Sequence, residues 1–538
     1  MGSLLLVVTL ACRQAAPPED SGLDGDPTLE VASPYKRADR RAIREAALTD
    51  LSRNLASGVQ IAVWLEGQIV YEGQFGSAHP ERQIDVTSQT LFQIGSDVKK
   101  IAAVSLLQQV EAGRLSLDDT VASALPGVSL EADPAWATTA TLEDLLTHQS
   151  GLYNYTPWDE APADRELADR ASGVLSESAY MLMPPRTTWN YTNAGFSLVG
   201  LAAEVADGRP WPAIVEEDIF APLGMTRTVV RRPPVSQSEE WAAATGLASV
   251  PGDAFDLLDL FDQTPEITTL EGEQLTDNGF VRPAGLTWST ATDMARFGGF
   301  LVDGNREVLS DSLREALTTR HAQPYAGNPS YAYGYGIMVF NGFTLSSEYY
   351  REPIWQHGGN TLAMTSTIIV LPEQRLSISV LSNGLNDVMG QTASALLKGA
   401  DVLGAPTGAP DLDTSRAPNA ELIGTYVDRG LGAIVVTEDE GSLRVDLPEL
   451  SKRGVAVSPS LQFAGLRDVY TMTIGGQSLE VVFGRDDDGD VEYVYNRLFA
   501  GRRDAETGGG AGASMLDVRR LAWGLLEPTS RPLFVGHP

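Results

Sequence analysis

Ser96 and Lys99 stand three residues apart, directly after the apolar run Leu91-Phe92-Gln93-Ile94 and Gly95. On a helix that spacing brings both side chains to one face. A serine hydroxyl is a weak nucleophile until a neighbour takes its proton, and an amine desolvated beside it can do so. The pair points to a serine hydrolase that passes through an acyl-enzyme. Tyr191-Thr192-Asn193 adds a phenol that could carry a proton between nucleophile and leaving group, and an amide that could hold a substrate carbonyl and the lysine. Taken alone, that tripeptide reads more readily as a capped turn, with Asn193 holding backbone amides. His357-Gly358-Gly359-Asn360 precedes the strand-like run Thr365 to Val370. Its adjacent glycines admit a close backbone approach, and a strand-edge N–H there could face a developing oxyanion. Taken alone, it too reads as a turn.

Spacing by itself is a weak signal, because Ser33-Pro34-Tyr35-Lys36 repeats it. That copy follows an acidic stretch with no strand before it, and we read it as a solvated lysine near a helix start. The copy at Ser96 opens onto Ile101-Ala102-Ala103-Val104-Ser105-Leu106-Leu107, the buried side of a helix. Lysine is scarce, at positions 36, 99, 100, 398 and 452, so a Lys-Lys pair opening a buried helix is unusual. Asp97 directly follows the serine, where it could gain from a helix dipole, repel an anionic substrate or oppose lowering of the lysine pKa.

The elements that must position these groups follow from periodicity. Arg37 to Asn54 reads as a helix; Gly58 to Leu65 and Gln68 to Gly73 read as a hairpin turning at Glu66-Gly67. The helix with Lys99 runs to about Glu111. Further helices are expected at Thr141 to His148, opened by a Thr141/Asp144 cap, and at Gly195 to Val205, Trp211 to Phe220, Thr290 to Leu301 and Asp387 to Ala400. Tyr333 to Phe340, Thr365 to Val370 and Leu376 to Leu381 read as strands. After the Gly/Pro-rich linker 404–418, short strand-like runs separated by Gly/Asp turns suggest a small all-β barrel over 419–503. A Gly-rich spacer and tail, 504–538, follow.

The chain has 538 residues, 43% of them hydrophobic, enough for two domains. A net charge of −32 argues against nucleic-acid binding. Five scattered histidines form no ligand pair at helical spacing, and no cofactor or metal is called for. Leu4 to Ala11 is far short of the ~20 residues of a membrane span but fits the core of a secretory signal. Cys12, the only cysteine, follows Leu-Ala as in a bacterial lipobox, although no Lys or Arg precedes the core and Thr9 stands where leucine is usual. Residues 1–12 are therefore read as a signal peptide with a lipobox and 13–36 as an acidic flexible tether. An exported protein of the periplasm or cell envelope, lipid-anchored through Cys12, is expected. The sequence does not set an oligomeric state.

In their order, Ser-x-x-Lys, Tyr-x-Asn and His-x-Gly resemble the serine β-lactamase and penicillin-binding protein family, above all its class C-related esterases and D-peptidases. Leu145-Leu146-Thr147-His148-Gln149-Ser150-Gly151-Leu152, Ile219 to Thr226, and Ala284 to Ala291 with Asp293-Met294-Ala295-Arg296-Phe297 resemble further segments of that family. The resemblance implies an α+β fold over 37–403, with an antiparallel five-stranded sheet, flanking helices and a helical subdomain, followed by a small β-barrel. It implies Ser96 as nucleophile, Lys99 as its basic partner, Tyr191 as proton shuttle, Asn193 as substrate contact, and the backbone N–H groups of Ser96 and Asn360 as the oxyanion hole. His357, Gly358, Gly359 and Asn360 would line the substrate. His357 stands where many relatives have lysine, which favours esters or peptides over penicillins. The expected substrate is a small ester, D-amino-acid amide or peptide, or β-lactam. The alternative is a non-catalytic relative that binds cell-wall peptide or a partner protein in the same groove.

Overall fold

The computed structural model describes residues 33–504 apart from 129, 131–133, 155–166, 168–180, 233–240, 248–266, 272–274, 276, 362, 385–388, 429–430, 453, 475–476 and 498. The expectations for Cys12, the signal segment, most of the tether and the C-terminal tail lie outside the described residues. No helix among the described residues is long and apolar enough to cross a membrane.

The first domain is organised by an antiparallel sheet. Its strands are β1 (Gly58–Leu65), β2 (Gln68–His79), β3 (Ile84–Asp85), β4 (Tyr331–Tyr333), β5 (Met338–Phe340), β6 (Ile354–Asn360), β7 (Thr365–Leu371) and β8 (Leu376–Ser382). The order is β3-β2-β1-β8-β7-β6-β5-β4. Five long strands, β2-β1-β8-β7-β6, form the expected sheet, and short strands extend both edges. β1 and β8 are buried on both faces; β1 is mostly apolar, whereas β8 alternates apolar residues with the small serines Ser377 and Ser379. Alternation then divides the core. Val59, Ile61 and Val63 pack with Ile43 and Ala47 of α1 (Arg37–Arg53). Ala62 and Trp64 face the other way, toward Met294 and Phe297. The β1–β2 hairpin turns through Glu66 and Gly67, both at positive φ, as a two-residue type I′ connection requires.

α2 (Lys99–Glu111) is preceded by a 3₁₀ turn, Gly95–Val98. Its apolar residues, with those of α3 (Leu142–Leu146), α4 (Asn193–Asp207) and α5 (Ala291–Asp303), fill the larger core. Caps fix these starts. Thr141 and Asp144 form a capping box, and Thr192 and Thr290 accept from the N–H groups of Gly195 and Asp293. α6 (Gly390–Ala400) lies against α1, and the Tyr35 hydroxyl donates to the Leu396 carbonyl at 3.0 Å. Tyr35 is buried, so the last residues of the expected tether belong to the fold. Lys36, in the second Ser-x-x-Lys, is exposed at the N-cap of α1.

Two expectations are corrected. Tyr333 to Phe340 is two strands, not one, because a turn at Gly334, closed by its N–H to the Ile337 carbonyl at 2.8 Å, folds β4 back on β5. The helix from Trp211 ends at Val215 and continues as a π turn over Glu216–Phe220.

The second domain is an eight-stranded antiparallel sheet of β9 (Gly424–Asp428), β10 (Gly432–Asp439), β11 (Ser442–Asp446), β12 (Gln462–Phe463), β13 (Val469–Ile474), β14 (Gln477–Arg485), β15 (Val491–Asn496) and β16 (Phe499–Arg503). The order is β11-β10-β9-β16-β15-β14-β13-β12. The segment before β12 returns to β11 through Val445 N–H to Pro459 O and Leu461 N–H to Leu443 O, so the sheet is a nearly closed barrel around its own core. Segment 404–418 is irregular but pinned, with Thr407 N–H donating to Tyr349 O and Asp413 N–H to Gly327 O. Tyr493, Tyr495 and Ala500 of the barrel pack on Tyr153, Leu182 and Met183 of the first domain.

Candidate active site

Ser96 lies in the 3₁₀ turn and Lys99 opens α2. Turn and helix run on continuously, so the three-residue spacing does put both side chains together. The Lys99 Nζ donates to Ser96 Oγ at 2.9 Å, Asn193 Oδ1 at 2.6 Å and the Ala284 carbonyl at 2.7 Å. Lys99 is fully buried, whereas Ser96 keeps 8% exposure. The Tyr191 hydroxyl donates to Ser96 Oγ at 2.8 Å, and Lys99 Nζ lies 4.9 Å from the centre of the Tyr191 ring. Ser96 Oγ thus receives two donors from groups that could each exchange a proton with it, and the serine keeps a small exposed area.

Tyr191 precedes the cap of α4, and Asn193 is the first residue of that helix. The turn is held from below. Asn193 N–H donates to Asn154 Oδ1 at 2.8 Å, and Thr192 Oγ1 donates to the Tyr153 carbonyl at 3.1 Å. The barrel packs on Tyr153 and therefore reaches to within one residue of this support. The acceptor at Ala284 is held by its own loop, where Arg282 makes paired bonds to Asp277 at 2.8 and 2.9 Å in a buried setting.

His357, Gly358, Gly359 and Asn360 lie in strand β6, not in a turn. β5 pairs with β6 only over Ile354 to Gln356, and beyond that point the edge of β6 meets the nucleophile turn. Two glycines allow this contact. A Cβ on Gly359 would stand 1.8 Å from the Ile94 carbonyl oxygen, and one on Gly95, whose φ is +50°, would stand 2.4 Å from the Asn360 nitrogen. The Asn360 amide is thereby brought beside the backbone of Ser96, on the strand edge where an oxyanion would need it.

His357 is brought near but turned inward. It is fully buried; Nε2 is 3.1 Å from the Tyr333 hydroxyl and Nδ1 is 2.6 Å from the Gly358 carbonyl. Burial and then the charges of Lys100 and Lys99 hold its pKa well below the usual imidazole value, so the ring is neutral. It offers no cation at the place where a lysine would.

Asp97 does not reach the surface. It is fully buried beside Lys100, whose Nζ donates to Asp97 Oδ1 at 2.6 Å and to the Asp97 carbonyl at 2.8 Å. The Ser366 hydroxyl lies 2.5 Å from Asp97 Oδ2 and 2.6 Å from the Ile94 carbonyl. Desolvation raises the Asp97 pKa and lowers that of Lys100, each against the pull of its partner. The geometry gives Asp97 a role the sequence did not suggest, a buried tie between the nucleophile turn, α2 and β7. Ser366, Asn154 and the Ala284 carbonyl were not legible as site supports, because none carries a local pattern and each is recruited by tertiary contact; Lys100 is a local partner of Asp97, but nothing in the spacing showed that the pair is buried.

Comparison with known proteins agrees with this geometry. A family model described as Beta-lactamase matches residues 46–400. Penicillin-binding protein 4* of Bacillus subtilis (strain 168) is 25% identical over 403 residues, covering 71% of this chain and 83% of its own length. A D-aminopeptidase of Gluconobacter oxydans is 25% identical over 405 residues, covering 72% and 66%. Esterase EstB of Burkholderia gladioli is 32% identical over 215 residues, covering 37% and 53%. Among solved structures, SurE with D-Leu superposes with a TM-score of 0.61 at 20% identity, covering 87% of this chain and all of that one, which speaks to the fold. With the family model spanning most of the first domain and these relatives alongside, the chain belongs to the beta-lactamase and penicillin-binding-protein-like family of serine hydrolases.

Proposed function

We propose that the protein hydrolyses a small ester or amide through an acyl-enzyme on Ser96. The observation that carries this reading is the convergence of Lys99 Nζ and the Tyr191 hydroxyl on Ser96 Oγ at 2.9 and 2.8 Å. In acylation Ser96 Oγ forms a bond to the substrate carbonyl carbon, and its proton passes to the Lys99–Tyr191 unit. The oxyanion is met by the amides of Ser96 and Asn360. As the carbon–leaving-group bond breaks, Tyr191 delivers the proton to the departing oxygen or nitrogen. Water then repeats the sequence in reverse, releasing the acid and restoring Ser96. Asn193 keeps Lys99 in line and offers its amide to the substrate.

The substrate class is narrowed by His357. Being neutral, buried and bonded at both ring nitrogens, it gives a carboxylate on the leaving side no partner. This favours neutral or amino-bearing esters and amides over β-lactams and C-terminal D-alanyl peptides. The named D-aminopeptidase and esterase relatives support the same preference, and the barrel against Tyr153 would limit substrate size as a wall of the groove. A panel of p-nitrophenyl esters, D- and L-amino-acid amides, nitrocefin and D-alanyl-D-alanine peptides tests this. Turnover of esters or amides is expected, and turnover confined to the carboxylate-bearing substrates would overturn it. We further propose export and anchoring through a lipidated Cys12, which mass spectrometry of the mature N-terminus would establish or refute.

A further inference from the structure

A line of buried hydrogen bonds crosses beneath the site. Thr192 N–H donates to His148 Nδ1 at 3.1 Å, His148 Nε2 lies 3.2 Å from the Tyr333 hydroxyl, that hydroxyl lies 3.1 Å from His357 Nε2, and His357 Nδ1 lies 2.6 Å from the Gly358 carbonyl. His148, Tyr333 and His357 are each fully buried. The two ends of the line are backbone groups with fixed roles. An amide N–H can only donate, so His148 Nδ1 bears the lone pair and its proton is on Nε2. A carbonyl can only accept, so His357 Nδ1 bears a proton and Nε2 a lone pair. Between them the Tyr333 hydroxyl accepts from His148 and donates to His357, and every donor and acceptor is used once.

We infer that Tyr333 is a positioning residue for catalysis, the centre of a one-directional His148–Tyr333–His357 chain that fastens the Tyr191–Asn193 turn to the oxyanion strand β6. One end of the chain is the amide next to Tyr191; the other is two residues from Asn360. The span between the proton shuttle and the Asn360 amide is therefore set by three side chains as well as by the backbone of β6 and the cap of α4. Two further observations support this. The His148 ring lies 4.2 Å, centre to centre, from that of Tyr191 and forms its floor. His148 also holds a left-handed backbone at φ +59°, an uncommon conformation for a non-glycine residue that fixes the direction of its ring.

The charged and titratable groups facing His148 are Lys99, Tyr191, Tyr333 and His357; those facing His357 are Lys99, Lys100, Tyr191, Tyr333 and His148. Burial first, and then the neighbouring lysines, disfavour a further proton, so both rings stay neutral through the physiological range.

The inference rests on the proposed hydrolase reading, and its test has one arm independent of turnover. In the full chain labelled with 15N-histidine, NMR from pH 5.5 to 8 should show His148 as the Nε2–H tautomer and His357 as the Nδ1–H tautomer, neither titrating. Tyr333→Phe should abolish this fixed pair and, with KM within about twofold, lower kcat by about tenfold to a hundredfold, the scale of a small misplacement of reacting groups. His357→Gln, which returns an acceptor near the place of Nε2, should keep more turnover than His357→Leu. An Nε2–H tautomer or a normal titration at His357, or a Tyr333→Phe enzyme with unchanged kcat, would overturn the inference. Failure of the wild-type enzyme to turn over any acyl substrate would instead count against the hydrolase reading, and the tautomers would still decide the chain.

Discussion

Asp97→Ala is a severe test of how the nucleophile turn is held. Its carboxylate and the Lys100 ammonium are both fully buried, 2.6 Å apart. Removing the carboxylate leaves the ammonium bonded to the Asp97 carbonyl with no counter-charge, and breaking such a buried pair from one side costs about 3–5 kcal/mol. The Ser366 hydroxyl also loses one of its two neighbours. Replacing both partners, as in Asp97→Ala with Lys100→Met, removes the stranded charge. The double variant should therefore recover most of the loss, to within about 1–2 kcal/mol of wild type. With a urea slope of roughly 3 kcal/mol/M, the single variant's unfolding midpoint should fall by about 1–2 M. Urea unfolding of the four proteins in the cycle, followed by circular dichroism, reads this directly. A single variant as stable as wild type, or a double variant less stable than the single, would refute the view of Asp97 as a tie and reopen a role at the substrate. Turnover gives a second reading, since the 3₁₀ turn that Asp97 anchors also carries Ser96.

Gly359→Ala places a Cβ 1.8 Å from the Ile94 carbonyl and 2.4 Å from Ser366 Oγ, so β6 must retreat and the rate of serine acylation should drop by at least about a hundredfold; a wild-type labelling rate would show that the strand can give. Arg282→Lys replaces a bidentate partner of Asp277 by a point charge, which should loosen the Ala284 carbonyl under Lys99 and lower kcat by about tenfold, seen in steady-state kinetics. His148 and His357 have pKa values held below the usual one near 6.5 by burial first and lysine charge second. The unfolded chain therefore takes up protons below pH 6.5 that the native chain does not. Stability is at its full value above that pH and falls as pH drops, by up to about 1.4 kcal/mol per unit for each ring. Melting curves from pH 8 to 5 should show this slope, and His148→Asn, whose side chain tolerates positive φ, should flatten it.

The sequence made the site's chemistry legible wherever a motif sits on one element. Ser96 and Lys99 share a continuous turn and helix, and Tyr191 and Asn193 flank a helix cap, so their spacing carries their geometry. It made the fold legible where burial imposes a period: the fully buried β1 and β8 and the capped α3 and α5 lie where alternation and Thr/Asp signals put them. His-Gly-Gly was ambiguous because glycines serve turns and close strand contacts alike, and only the Ile94 carbonyl lying against Gly359 decides between them. The inward turn of His357 and the tie from Asp97 to Ser366 were not legible, since both depend on residues far apart in sequence, Tyr333 and Ser366, that have no reason to be noticed until the sheet closes; the Asp97–Lys100 pair is itself local, three residues apart, but its burial is not.

The central claim is that Ser96 becomes acylated with the help of Lys99 and Tyr191. Intact-protein and peptide mass spectrometry after reaction with a fluorophosphonate probe tests it most directly. The account predicts a single adduct on the peptide carrying Ser96, absent in Ser96→Ala and formed far more slowly in Lys99→Met and Tyr191→Phe. An adduct on another residue, or labelling that persists in Ser96→Ala, would contradict it.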